Sequence, residues 1–151
     1  MKDKNFKYYV AYGSNLNIQK MHQRCPEVLV YATAILSGYK LVSNKVGNNA
    51  YLSIKKEKDS YVPVVVWKIN KTQEKALDEY ENFPNLYHKK ELKLKVLLLK
   101  NNKHKKIKCF TYIMNEGYPE GKATKEYIDI CMKGYKDFNF DQKILKKAFK
   151  I

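Results

Sequence analysis

Two features of this chain have the residue types and spacing that chemistry needs. The first is Glu81, near the end of a run from about Lys71 to Asn82 that carries helical spacing. On a helical wheel Gln73, Ala76, Leu77 and Tyr80 share one arc, and Glu81 falls one turn beyond Leu77 at the margin of that apolar face. A carboxylate there sits at the negative end of a helix and is partly buried. Both effects favour its protonated form, so it could take and return a proton near neutral pH. The second feature is the loop Tyr12, Gly13, Ser14, Asn15 and Leu16. It follows the aromatic and β-branched stretch Tyr8 to Ala11 and precedes helical spacing that begins at Ile18 and Met21. Gly13 allows positive φ or close passage of a bound group, and Ser14, Asn15 and Asn17 can bond nearby backbone. Such a turn aims free N–H groups into one concavity, which suits a carboxylate or a developing oxyanion. Without Glu81, the same residues read equally well as a strand, a turn and a capped helix.

Other chemistries lack their residues. The chain has no Gly-x-Ser-x-Gly elbow, no phosphate-cradling Gly-Lys-Ser/Thr loop and no His-Glu-x-x-His helix. His22, His88 and His104 stand alone on a helix, a strand start and a hairpin tip, where surface or structural roles are the rule. Cys25, Cys109 and Cys131 are far apart, with no histidine at ligand spacing. A reduced, cytoplasmic protein without metal or cofactor is expected.

The net charge of +15 is almost entirely lysine, Arg24 being the only arginine. Base and phosphate readers rely on the arginine fork, so nucleic acid is a poor fit as partner, although such a field attracts anions in general. The longest apolar runs, Val64 to Trp67 and Val96 to Leu99, are too short to span a bilayer, and Lys2 and Lys4 precede no apolar stretch of signal-peptide kind, so neither secretion nor a membrane partner is expected.

The elements that must position these groups follow in order. After the opening strand, Ile18 to Arg24 forms a helix that Pro26 stops. Val28 to Val42 is one bent strand or two, broken at Ser37-Gly38, and Asn44 to Asn49 is a turn. Strands follow at Tyr51 to Lys55 and Ser60 to Ile69, with Pro63 at an edge or a strand start. The Glu81 helix takes Asn70 or Thr72 as its N-cap. Its Glu74, Asp78 and Glu79 read as solvated charges, with Asp78 a possible support for the loop that follows. Tyr87 to Lys100 and Lys106 to Met114 pair across Asn101-Asn102-Lys103. Thr124 caps a helix that Gly134 is expected to end, and Asp141 to Phe149 is a last amphipathic helix. No linker or repeat divides residues 1–151, so a single domain is expected.

The loop Tyr12 to Leu16 after an N-terminal strand, the run Leu77-Asp78-Glu79-Tyr80-Glu81-Asn82 with Tyr87 and Lys89 beyond it, and the late Thr124-x-x-Tyr127 followed by Gly134 resemble the γ-glutamylcyclotransferase family. The resemblance covers nearly the whole chain in order. It implies an α+β fold, with a small mixed, curved and partly closed barrel-like sheet and packed helices. It also implies a small γ-glutamyl substrate that is cyclised to 5-oxoproline. Glu81 would be the acid/base, the Tyr12 to Leu16 loop would hold the γ-glutamyl unit largely through backbone groups, and Tyr87 and Tyr127 would join the substrate wall. By their own residue types these two tyrosines read equally well as a strand start and a core aromatic. Ser14, at first sight a nucleophile, is expected to shape the loop. Three positions depart from the family pattern: Asn82 replaces glycine after the glutamate, Lys89 replaces arginine and Ala123 replaces proline. Two rival functions fit the same residues: a non-catalytic module for a small anion or acidic partner, and an amidohydrolase releasing glutamate.

Overall fold

The computed structural model describes residues 5–151; Lys2 and Lys4 lie outside them. Its frame is a closed barrel in the order β1-β3-β2-β4-β5. The apolar stretch that opens the chain becomes β1 (Phe6–Ala11), which pairs antiparallel with β3 and touches β5 in parallel at Tyr9 and Phe110, closing the barrel. Its buried end delivers the chain directly into a short 3₁₀ turn, Ser14–Leu16, and then into α1 (Ile18–Arg24), capped by the Asn17 side chain.

Of the two expectations for the stretch after Pro26, the single bent strand is the one formed, β2 (Leu29–Val46). The two strands expected at Tyr51 to Lys55 and Ser60 to Ile69 merge into one, β3 (Asn49–Asn70), so that β2 and β3 make one long hairpin. The expected break at Gly38 is a bulge. Gly38 takes φ +83°, and β3 residues 57–60 have only this glycine opposite them, so the strands bend without separating. The turn shrinks to Gly47 and Asn48, because Val46 pairs with Asn49 and extends the ladder into the polar stretch. Pro63 pairs with Ile35 on β2, while β1 ends opposite Val65, so the missing N–H falls where β3 has one strand neighbour.

The helix α2 (Lys71–Tyr80) begins in a reciprocal capping box between Asn70 and Gln73. It stops earlier than expected: Glu81 is the C-cap and Asn82 takes the left-handed φ of 51° that glycine or asparagine tolerates best. Next come β4 (Tyr87–Leu98) and β5 (His104–Met114), whose inward Leu94, Val96 and Ile107 are buried while the intervening lysines are exposed. The helices α3 (Lys125–Asp137) and α4 (Gln142–Phe149) follow. Gly134 does not end α3, which runs on to Asp137. A Cβ on Gly134 would lie 2.6 Å from the Leu16 Cβ and 2.7 Å from its carbonyl carbon, so the glycine lets α3 cross directly over the 3₁₀ turn. No described helix is long and apolar enough to cross a membrane.

Candidate active site

The Glu81 carboxylate and the loop after β1 line one cavity of about 330 Å³. Helix α2 brings Glu81 to this wall because Leu77, one turn earlier, is fully buried and fixes the roll of the helix. Burial raises the Glu81 pKa to about 8, against the opposing pull of the Arg24 guanidinium. Among the described residues no cation forms an ion pair with Glu81, which leaves the carboxyl to the cavity.

The loop supplies its backbone and its shape. Gly13 takes φ −128°, so positive φ is not what it contributes; it lies against Leu52 and the Tyr127 hydroxyl, where a side chain would project into the cavity. The Leu16 N–H bonds the Gly13 carbonyl at 3.0 Å, and that of Asn17 bonds Ser14 at 3.0 Å. The preceding N–H groups, of Ser14 and Asn15, take no protein acceptor among the described residues. Two adjacent donors therefore open the turn at the cavity wall. The Leu16 side chain turns away into the core beneath Gly134, so this residue supports the loop and does not line the cavity.

Asn15 is buried and its side chain is fully engaged. Its Nδ2 donates to the Tyr9 hydroxyl at 2.9 Å, its Oδ1 accepts from Arg24, and its carbonyl accepts from the Trp67 indole at 3.0 Å. The only arginine is thus a strut. It bonds Asn15 and lies 3.6 Å over the Tyr80 ring. Tyr80 in turn shares a 3.0 Å hydrogen bond with Ser14 Oγ, which links the end of α2 to the loop.

Tyrosines form most of the remaining wall. Tyr12 donates to the Tyr112 carbonyl at 2.6 Å. Tyr87 donates to the Leu52 carbonyl at 2.9 Å, and Tyr127 accepts from the Leu52 N–H at 3.1 Å, so both grip the same β3 residue. Burial first, and then the Glu81 charge, push the Tyr9 and Tyr12 hydroxyls upward, which keeps them neutral donors. Tyr51, edge-on to Tyr127 at 5.3 Å, together with Val46 and Leu86 forms an apolar side.

Tyr9, Tyr51 and Tyr112, far apart in the chain but met in the cavity, have no motif that could have marked them; their signal is the strand register, whereas Tyr80 arrives with Glu81 at the end of α2. Glu74 and Asp78 are not solvated charges. Lys89 bonds both, at 2.7 and 2.8 Å, Lys7 reaches Glu74 at 3.1 Å, and Asp78 accepts the Tyr112 hydroxyl at 2.6 Å. The barrel curves β4 and β5 against that face of α2. Lys89 is thereby held outside the cavity wall. The three cysteines are buried and free, no histidine lines the cavity, and no described cluster of His, Cys, Asp or Glu could hold a metal ion.

A closed five-stranded barrel with flanking helices and a tyrosine-lined cavity beside the loop after β1 defines the class. A solved structure of a gamma-glutamyl cyclotransferase superposes with a TM-score of 0.78 at 25% identity, over 97% of this chain and 88% of that one. A glutathione-specific relative from yeast shares the fold at 12% identity and a TM-score of 0.62, over 97% of this chain and 95% of that one. The chain belongs to the gamma-glutamyl cyclotransferase, AIG2-like family, whose model matches residues 9–135, and it is an enzyme of that kind. The human gamma-glutamylcyclotransferase is 28% identical over 137 residues, covering 85% of this chain and 70% of that protein. The mouse protein is 28% identical over 147 residues, covering 92% and 75%.

Proposed function

We propose that this enzyme cyclises the γ-glutamyl group of a γ-glutamyl amine or peptide to 5-oxoproline and releases the free amine, with Glu81 as general base and then acid. The observation that carries the reading is Glu81, with its raised pKa, sharing one cavity with the two unengaged N–H groups of Ser14 and Asn15. The substrate's α-amine attacks its own γ-carbonyl carbon. A C–N bond forms in the five-membered lactam, and the C–N bond to the leaving amine breaks. No water is consumed and no enzyme nucleophile is needed. The attacking nitrogen must lose two protons on its way from α-ammonium to lactam N–H. Glu81 takes the first so that the amine can attack, and it relays the protons to the departing nitrogen, which leaves as the ammonium form. A pKa of about 8 lies closer to that of an ammonium group than an ordinary carboxylate's does, which favours transfer in both directions. The two loop N–H groups hold the substrate's carboxylate or the oxyanion, and Tyr12, Tyr87 and Tyr127 complete the wall. Glutathione, γ-glutamyl dipeptides and γ-glutamyl-lysine, incubated with the enzyme and analysed by mass spectrometry, test the reading. 5-Oxoproline supports it, whereas glutamate would indicate hydrolysis and no product from any substrate a binding role.

Two variants separate roles within the site. Ser14→Ala removes only the bond to Tyr80, so turnover should stay within about tenfold of wild type; abolition would make Ser14 a nucleophile instead. Arg24→Leu leaves Asn15 Oδ1 buried without its donor and removes the cation that holds the Glu81 pKa down. The rising limb of kcat/KM against pH should therefore move to higher pH, with a stability loss of about 1–3 kcal/mol. An unmoved limb would show that Arg24 does not act on Glu81.

A further inference from the structure

We propose that the outer face of the β3-β2-β4-β5 wall is a docking surface for an anionic lipid bilayer, separate from the catalytic cavity. Strand register assembles it. Lys93 pairs directly with Lys108, and Lys95 with Lys106, on neighbouring strands. Like charges placed opposite each other destabilise a sheet. Among the described residues none of these four lysines has an ion-pair partner, and all are exposed. Anions lying across such a ladder relieve its repulsion beyond what water and salt already screen.

The neighbouring strand shows which anion fits. Thr33 on β2 pairs with Leu97 on β4, so Ile35 and Lys95, each two residues on in the same direction, share the outer face. Ile35 is 52% exposed, and Tyr61, which pairs with Ser37 in the next row, is 43% exposed. The face therefore grades from four lysines on β4 and β5 to an exposed aliphatic and an aromatic group on β2 and β3. Phosphodiester chains would use the lysines and leave Ile35 idle. A bilayer uses both, headgroups against the ammonium groups and the acyl boundary against Ile35 and Tyr61. Lysine, a flexible point charge, suits headgroups that present no fixed geometry.

Co-sedimentation of the full chain with phosphatidylcholine vesicles, with and without about one third phosphatidylserine, tests this directly, using RNA and a poly-glutamate peptide as soluble competitors. Binding is expected only to the anionic vesicles and should fall steeply between low and high salt. Each lysine replaced should weaken it roughly fivefold, so the quadruple Lys→Gln variant at 93, 95, 106 and 108 should lose it. Relief of the paired charges should leave that variant at least as thermostable as wild type, which distinguishes lost docking from misfolding. Ile35→Gln, with net charge unchanged, should weaken vesicle binding several-fold while leaving 5-oxoproline formation intact. No preference for anionic vesicles, an unaltered quadruple variant, or tight binding to RNA or poly-glutamate with none to vesicles would each overturn the proposal. None of these outcomes depends on turnover.

Discussion

Glu81→Gln is expected to lower 5-oxoproline formation by roughly 10²- to 10⁴-fold, the range that a positioned acid/base contributes. The substitution keeps the shape of the side chain and removes the proton exchange. Wild-type kcat/KM should rise with pH through about 8, because only the ionised carboxylate can accept the ammonium proton, and the variant should lose that limb. Stability should change in the opposite sense. The folded carboxyl keeps its proton to about pH 8, whereas the unfolded one releases it near 4.3. Between those values the native state binds the extra proton, so wild-type stability falls as pH rises and the penalty is complete above 8. Glutamine abolishes this dependence. Measured by thermal melts, the variant should gain on wild type from pH 5 to pH 8 and end as much as a few kcal/mol more stable. An inactive variant that is also more stable at high pH is the signature of a buried functional acid. Undiminished turnover would remove Glu81 from the mechanism.

Gly134→Ala, though distant from Glu81 in the chain, should damage both stability and activity. In an ordinary helix interior the change would help by about 1 kcal/mol. Here the new methyl would lie 2.6 Å from the Leu16 Cβ, 2.7 Å from its carbonyl carbon and 3.0 Å from the Asn17 nitrogen. Two of these are backbone atoms that no rotamer change can move, so α3 must lift or the turn must shift. Overpacking of this kind costs about 1–3 kcal/mol, and a fall in Tm of several degrees is expected. Because the shifted turn carries the Ser14 and Asn15 N–H groups, turnover should fall by about 10- to 100-fold with Glu81 intact. A Tm equal to or above that of wild type would show that α3 does not rest on the loop as described.

These two residues divide what the chain states locally from what it does not. The strand that leads into the Gly13 turn, the tight turn before an Asn-capped helix, and Glu81 one turn past Leu77 were legible because capping, turn chemistry and periodicity act over a few residues. The ends of α2 and the continuous β2-β3 hairpin were read less well, since a bulge at Gly38 and a C-cap at Glu81 depend on what packs against them. Gly134 read as a helix stop, and its part in the crossing of α3 over Leu16 is visible only once the two are in contact. Asn15 likewise reads as a ligand by type, yet Tyr9, Arg24 and Trp67 occupy its side chain and carbonyl, leaving its N–H. Sequence alone thus determined the loop and the carboxylate. Only the tertiary structure decided that they share a cavity, that Arg24 braces it, and that Tyr12 meets Tyr112 across a separation of 100 residues, because barrel closure sets those pairs and no local signal encodes it.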